Sequence, residues 1–416
     1  MISPVSRVSV IGLGYIGLPT AAMFASRKIE VIGVDVNEEA VAAINRGEIH
    51  IAEPDLDIVV SAVVNQGYLR ATTVPEPADA FLIAVPTPFK DDHIPDLAYI
   101  ETAAQMIAPV LEKGNLVILE STSPVTTTEQ LADWLAAARP DLRFPQAVGD
   151  FADVNIAYCP ERVLPGRVMQ ELTNNDRVIG GMSGACSAKA KAVYKTFVEG
   201  DCVATTARTA EMVKLVENAS RDVAIAFANE LSLICDRQDI DVWETIALAN
   251  RHPRVNILQP GPGVGGHCIA VDPWFIISGA PEEANLIRQA RGVNDGKPDW
   301  VVRKVAAAVA DLDKSGDVTV ACFGLAFKAD IDDLRESPAV DIARALMARD
   351  GVKILVVEPN IQTLPEAFAG QTELVSAEAA LSRADIALML VDHAEFKSMT
   401  PDRFSGPIID TKGVWR

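Results

Sequence analysis

A cysteine set on a glycine-rich loop, with a carboxylate four positions later, has the parts needed for covalent catalysis. Such a loop runs Gly261-Pro262-Gly263-Val264-Gly265-Gly266-His267-Cys268-Ile269-Ala270-Val271-Asp272-Pro273-Trp274. Glycines lack a Cβ and tolerate positive φ, so this backbone can approach a bulky ligand closely. The thiolate is the reactive form, which requires the loop to lower the thiol pKa or to place a base beside it. The alternative is a buried cysteine acting as a small hydrophobe. A core cysteine does not usually sit between a glycine cluster and His267 with Asp272 and Trp274 close behind. A second polar set lies upstream. From Thr209 to about Gln238, Met212, Leu215, Ala219, Val223, Ala226, Leu231 and Ile234 recur at helical spacing without internal proline or glycine. Lys214, Asn218 and Arg221 then share one face at i, i+4 and i+7. A solvated polar stripe is the ordinary fate of such residues. Asparagine is a poor helix former, however, and a lysine one turn from it could serve the thiol loop.

Other elements must bring a co-reactant. Val8-Ser9-Val10-Ile11 reads as a strand leading into Gly12-Leu13-Gly14-Tyr15-Ile16-Gly17-Leu18-Pro19, followed by a small-residue helix to about Ser26 and a strand, Glu30 to Asp35. Gly12 permits the tight turn, Gly14 lets a pyrophosphate approach, and Gly17 lets helix and strand pack closely, with the helix N-terminus facing the anion. Asp35 stands where a carboxylate bonds the ribose hydroxyls and repels a 2′-phosphate. With no arginine at Val36-Asn37, the expected cofactor is NAD, not NADP. A lone GxGxxG is weak, but one between two strands with an acid at this distance is specific. Buried-strand runs at Ala78–Val85 and Leu116–Glu120 end in Pro86-Thr87-Pro88 and Ser121-Thr122-Ser123-Pro124, placing Thr87 and Thr122 at carboxyl ends of strands where such sheets bind ligands. For Thr122 a turn or cap before a Thr126–Ala138 helix is an equal alternative. Asn155–Cys159 is a later strand, opening into Pro160-Glu161-Arg162-Val163-Leu164-Pro165-Gly166.

Beyond Val293-Asn294-Asp295-Gly296-Lys297-Pro298, a helix is expected from Asp299 to about Leu312. A fresh α/β pattern follows: strands at Val318–Gly324, Lys353–Glu358 and Ala384–Val391, and a helix at about Ser337–Arg349. It lacks the full glycine fingerprint, which predicts a degenerate nucleotide-type sheet. Lys328 and Arg335 flank the acidic run 330–333 after its first strand, a position suited to phosphate.

A length of 416 residues fits about two to three domains, and the 49% hydrophobic and 23% charged content is that of a globular enzyme. The formal charge of −20 excludes nucleic acid and anionic membrane as expected partners, since the field repels phosphate. Cys159, Cys186, Cys202, Cys235, Cys268 and Cys322 form no CxxC pair and no Cys/His spacing suited to zinc, so no metal site and no disulfide framework is expected and a reducing compartment fits. The apolar run Val8–Ala25 is interrupted by fingerprint glycines and reads as strand and helix, not a signal peptide. No apolar run reaches membrane-spanning length.

With GLGYIGLP, VPTP, EST, PERVLPG, KLVEN, HPRVN, GPGVGGHC-x-x-x-D and GLAFK-x-D-x-D-D-x-R in this order, the chain resembles the UDP-sugar 6-dehydrogenases over essentially its whole length. Within that family, Asn155–Gly166, Ser232–Ile276 and Asp410–Trp415 look most like the bacterial branch acting on UDP-N-acetyl-D-mannosamine. UDP-glucose-specific members typically read PEFLREG and GFGGSCFPKD, and Arg162-Val163-Leu164-Pro165 and His267 depart toward an N-acetylated sugar. The resemblance implies an α/β fold of two Rossmann-like doubly wound domains joined by a long central helix: an NAD domain (1–206), a helical dimerisation and catalytic-loop region (207–300) and a UDP domain (301–416). It implies two-fold, four-electron oxidation of the sugar by NAD through a thiohemiacetal and thioester on Cys268, feeding bacterial surface polysaccharides such as enterobacterial common antigen, in a cytoplasmic homodimer.

Lys214 and Asn218 would stabilise the oxyanions, Lys214 or a linked water would take the hydroxyl proton, and Asp272 would assist hydrolysis. By the same resemblance Glu161 orders the water or acts as a base. Arg162, Val163, Arg221, His252, Arg254 and Gly265 line the sugar nucleotide, Arg254 from the neighbouring subunit. Phe327, Lys328 and Lys412 lie on the uridine diphosphate side, and Arg335 on the NAD pyrophosphate. Relatives often place a basic residue near the adenosine where this chain has Glu38-Glu39-Ala40, which predicts weaker adenosine binding. The alternatives are the same reaction on UDP-N-acetylglucosamine or UDP-glucose, a single-step NAD-dependent hydroxy-acid dehydrogenase needing neither Cys268 nor a second α/β domain, and a regulatory protein that keeps the fold without the chemistry.

Overall fold

The structure, a computed structural model, describes all residues except 1–4, 52, 91–92, 164–165, 267, 313, 402–403 and 416. His267, Leu164 and Pro165 therefore lie outside the described residues. The chain forms two compact units, Met1–Glu217 and Asn218–Arg416.

In the first unit the strands are β1 (Arg7–Ile11), β2 (Glu30–Val34), β3 (Leu69–Thr72), β4 (Ala80–Ile83), β5 (Leu116–Leu119), β6 (Asn155–Tyr158), β7 (Arg177–Gly181) and β8 (Cys202–Thr206). They make one eight-stranded sheet in the order β3-β2-β1-β4-β5-β6-β7-β8. All neighbours are parallel except β6 and β7. Side chains alternate across a strand, so both faces are buried. Val8, Val10, Leu82 and Ile118 pack on one face with Phe24 and Tyr194, while Ile11, Phe81, Ile83, Val117 and Leu119 pack on the other with Ile100 and Leu131. The strand order reverses between β1 and β4, and the crevice at that switch point is where doubly wound sheets bind ligands.

The second unit repeats the scheme with β9 (Val318–Phe323), β10 (Val352–Val357), β11 (Glu373–Leu374), β12 (Ile386–Met389) and β13 (Ile408–Asp410), ordered β11-β10-β9-β12-β13 and all parallel. The Ala207–Arg237 helix runs from the first unit into the second and has the 3.6-residue periodicity read from the sequence.

One helix corrects the sequence reading. The helix expected from Asp299 to about Leu312 begins earlier, at Asn285, and runs to Asp311 with Gly292, Gly296 and Pro298 inside it. Proline removes one intrahelical bond and crowds the preceding turn. Here tertiary contacts override that cost: Asn294 is buried, and its Nδ2 donates to the Asp222 main-chain oxygen and carboxylate at 3.1 and 2.8 Å. Arg291 on the same helix is also buried and pairs with Asp222 at 2.6 Å. Among the described residues, no helix is long and apolar enough to cross a membrane.

Candidate functional site

At the first switch point the dinucleotide turn has the required shape. Gly12 sits at φ +90°, and a Cβ at Gly17 would fall 1.8 Å from the Gly12 carbonyl oxygen, so neither position admits a side chain without rearrangement. Around a Cβ at Gly14 there is open space, which leaves the backbone accessible. The Gly17–Ser26 helix follows Ile16 with no side-chain cap, so no side chain of the cap competes with an anion for the positive end of its dipole. Asp35 directly follows β2, where its Oδ2 accepts the Leu13 N–H at 2.8 Å and its Oδ1 accepts the Asn37 N–H at 2.9 Å. Tyr15 is exposed. The Thr87 hydroxyl is buried without a hydrogen-bond partner among the described residues, which suits a ligand contact. These features fit NAD. Thr122 is not a helix cap. The Thr127–Ala138 helix is capped instead by the buried Glu211, which accepts the Thr126 and Thr128 N–H groups at 2.7 and 2.8 Å.

The loop after β6 carries a buried charge cluster. Glu161 Oε1 accepts the Arg162 N–H at 2.7 Å, and its Oε2 takes the Arg177 guanidinium at 2.5 Å. Arg177 Nη1 lies 3.5 Å from Glu120, and its guanidinium stacks 4.3 Å from the Tyr194 ring centroid. The Tyr194 hydroxyl donates to Glu120 at 2.5 Å. One cation thus serves two buried carboxylates. Burial first, and then the neighbouring Glu161 charge, push the Glu120 carboxyl up to about 7 against the pull of Arg177. Because the folded state holds this proton more tightly than the unfolded chain, its stabilising contribution is complete below the ordinary value near 4.5 and is lost as pH rises through about 7. Glu120→Gln should remove that slope, at most about 1.4 kcal/mol per pH unit, from the difference between urea midpoints measured across this range. Parallel pH profiles for the variant and the parent would refute the assignment.

Lys214, half-buried on the long helix, donates from Nζ to the Glu161 main-chain oxygen at 2.9 Å. The Arg162 guanidinium is committed to Glu217 at 3.0 and 2.6 Å and to the Asp176 carbonyl oxygen at 3.2 Å. The loop closes on Glu53, whose buried carboxylate accepts the Gly166 and Val168 N–H groups at 2.9 and 2.8 Å. Val163 packs against the core beneath it.

In the second unit the thiol loop is tied at both ends. Its first glycine, Gly261, donates its N–H to Asn229 at 2.9 Å, and Asn229 donates in turn to Asn294. At the far end the Cys268 carbonyl accepts the Val271 and Asp272 N–H groups at 3.1 and 2.9 Å, a turn that feeds the Asp272–Gly279 helix. Asp272 is buried in the first helical turn, where the helix dipole favours a carboxylate, and receives the Asn218 side-chain amide at 2.5 Å. Cys268 itself is exposed, whereas the other five cysteines are buried. Cβ atoms at Gly265 and Gly266 would fall 3.0 and 2.9 Å from Phe327, so Phe327 packs directly on this loop. Lys412 pairs with Asp392 at 3.1 Å, and its Nζ lies 3.7 Å from a Cβ built at Gly261. Lys328 is exposed; Arg335, also exposed, pairs with Asp333 at 2.6 Å. Arg221, His252 and Arg254 are exposed, with the Arg254 N–H directed to His252 Nδ1 at 3.4 Å.

The structure therefore joins Asn218 with Asp272, and Lys214 with the Glu161 backbone. It also adds Arg177, Glu120, Glu53 and Asn229, none of which the sequence singled out. Their signal is weak, since none belongs to a local motif and each finds its partners elsewhere in the chain. Among the described residues no group of His, Cys, Asp and Glu could hold a metal ion.

Sequence profiles of the UDP-glucose/GDP-mannose dehydrogenase family match three stretches: its NAD binding domain at residues 6–198, its central domain at 208–296 and its UDP binding domain at 321–416. UDP-N-acetyl-D-mannosamine dehydrogenase of Yersinia pestis is 66% identical over 98% of this chain and 99% of its own. A Ralstonia nicotianae protein named NDP-N-acetyl-D-galactosaminuronic acid dehydrogenase is 63% identical over 98% of this chain and 96% of its own. A solved structure of the Staphylococcus aureus UDP-N-acetyl-mannosamine dehydrogenase superposes with a TM-score of 0.86 at 42% identity, covering 99% of this chain and 96% of that one.

Proposed function

The chain belongs to the UDP-glucose/GDP-mannose dehydrogenase family, and from that premise we propose that it oxidises carbon 6 of UDP-N-acetyl-D-mannosamine twice, giving UDP-N-acetyl-D-mannosaminuronate. The observation that carries this reading is Cys268, exposed on a turn whose next carboxylate, Asp272, is oriented by Asn218. A single oxidation needs no nucleophile, whereas a second oxidation at the same carbon requires that the aldehyde be held. Near-full-length identity to UDP-N-acetyl-D-mannosamine dehydrogenases supports the sugar.

The 12–17 turn, Asp35 and Thr87 would hold NAD, which would supply the two-electron acceptor for each oxidation. The Cys268 sulfur adds to the aldehyde carbon, and the carbonyl oxygen takes up the thiol proton to form a thiohemiacetal. Loss of hydride from that carbon and of the hydroxyl proton leaves a thioester. Water then attacks, the carbon–sulfur bond breaks, and the thiol is regenerated as the carboxylate departs. Lys214 and Asn218 are assigned to the negative oxygen at both tetrahedral stages, and Asp272, with Glu161, to the hydrolytic water.

The division into 1–206, 207–300 and 301–416 is retained, with Arg162, Val163, Arg221, His252, Arg254 and Gly265 assigned to the sugar nucleotide and Phe327, Lys328 and Lys412 to its uridine diphosphate. A cytoplasmic homodimer is proposed in which Arg254 serves the neighbouring subunit's site. Met212, Val216, Phe227 and Ile234 are exposed on the long helix at spacings that place them on one face, as a dimer surface would require.

Turnover should yield about two NADH per sugar, against about one for a hydroxy-acid dehydrogenase. Comparing kcat/KM on UDP-N-acetylmannosamine, UDP-N-acetylgalactosamine, UDP-N-acetylglucosamine and UDP-glucose tests the sugar, the sharpest comparison being with UDP-N-acetylglucosamine, an epimer at one carbon that a single hydrogen bond can distinguish. Preference for any of the other three defeats the substrate assignment.

A further inference from the structure

Glu358 follows β10 as Asp35 follows β2. Gly324, at φ +93°, turns the chain after β9 as Gly12 does after β1. In both turns the acid accepts an N–H of the residue after the glycine: Leu13 to Asp35 and Leu325 to Glu358, each at 2.8 Å. The two acids then diverge. Asp35 is half-exposed, as a ribose acceptor must be, whereas Glu358 is buried under His393, itself 1% exposed. Glu358 Oε2 also accepts the Ala326 N–H at 3.0 Å and meets His393 Nε2 at 3.0 Å, while Oε1 accepts the Asn360 N–H at 3.1 Å. His393 Nδ1 accepts the Asp330 N–H at 2.9 Å, so the ring proton belongs on Nε2 and is donated to Glu358.

The loop clamped in this way at residues 325, 326 and 330 carries Phe327 and Lys328. Phe327 fills the space over Gly265 and Gly266, and the Glu336 carbonyl and Pro338 crowd Gly265 as well, at 2.2 and 2.7 Å from a Cβ built there. Rigid contact thus runs from the imidazole through this loop to the backbone that presents Cys268. We propose that His393, through Glu358, is a positioning residue that registers the 325–336 loop against the thiol loop, converting the ribose-acid position of the second sheet from a ligand contact into a structural pin. The effect on nucleotide-sugar affinity rests on the reading that Phe327 and Lys328 face the uridine diphosphate. The effect on the thiol loop does not.

His393→Phe keeps the bulk and the edge contact with Phe396, at 5.3 Å between centroids, but removes the hydrogen bonds to Glu358, to the Asp330 N–H and to the Asn360 side-chain amide, which lies 3.0 Å from Nδ1. In the full-length enzyme the KM for the nucleotide sugar should rise roughly tenfold and the KM for NAD stay within about twofold, because the dinucleotide turn belongs to the other sheet. In enzyme without substrate, iodoacetamide should alkylate Cys268, the exposed cysteine, at a rate changed by at least about threefold. His393→Asn retains the acceptor for Asp330 and should recover most of both effects, while His393→Gln retains only the donor to Glu358 and should recover less. An unchanged sugar KM and alkylation rate in folded His393→Phe overturns the proposal, as does a loss that merely scales with the folded fraction. Should His393→Phe fail to fold, equal alkylation rates in the Asn and Gln variants overturn it. If the sugar assignment is wrong, the alkylation arm still responds while the KM arm moves to another nucleotide sugar.

Discussion

Cys268→Ser should lower uronate formation by roughly a thousandfold or more, a barrier increase of about 4 kcal/mol. A serine hydroxyl at neutral pH is a far weaker nucleophile than a thiol, and the oxygen ester it would form hydrolyses more slowly than a thioester. Because Cys268 is exposed, the substitution removes little packing, and thermal stability should stay within about 0.5 kcal/mol of the parent. The first hydride transfer needs no sulfur, so stopped-flow absorbance should still register NADH in a single turnover while steady-state uronate disappears. A serine variant that makes uronate at the parental rate would remove the covalent step from the mechanism, whatever the substrate proves to be.

Arg177→Met should have the largest effect on stability, a loss of about 3–5 kcal/mol, because it strands the buried Glu161 carboxylate and takes from Glu120 the cation that opposes its protonation. It should also slow turnover. Glu161 would lose the group that fixes its side chain, and the Glu161 carbonyl is what holds Lys214. Arg177→Lys should recover only part of the stability, since a single ammonium cannot reproduce a planar guanidinium that reaches Glu161, Glu120 and the Tyr194 ring together. Urea denaturation at pH 7 measures the loss. A change under about 1 kcal/mol would mean that the carboxylates take up protons and need no cation.

By itself the sequence determined the features set by short-range chemistry. The Gly12–Gly17 fingerprint was legible because strand, glycine turn and helix are contiguous and each glycine answers a local steric demand; the switch-point turn has that shape. The thiol loop stood out for the same reason, as did the periodicity of the long helix, which runs Ala207–Arg237. Only the tertiary structure decided the partners. Asn218 and Asp272 are 54 residues apart, Glu161 and Lys214 are 53 apart, and Glu358 and His393 are 35 apart. No periodicity reports a hydrogen bond across such distances. The continuous helix through Gly292, Gly296 and Pro298 shows the same limit from the other side. Local propensity argued for a helix starting only at Asp299, and the buried contacts of Arg291 and Asn294 with Asp222, on a different helix, extended it back to Asn285. A chain can declare in a few consecutive residues what a turn must hold, but where a buried charge finds its counter-charge depends on which elements the fold packs together.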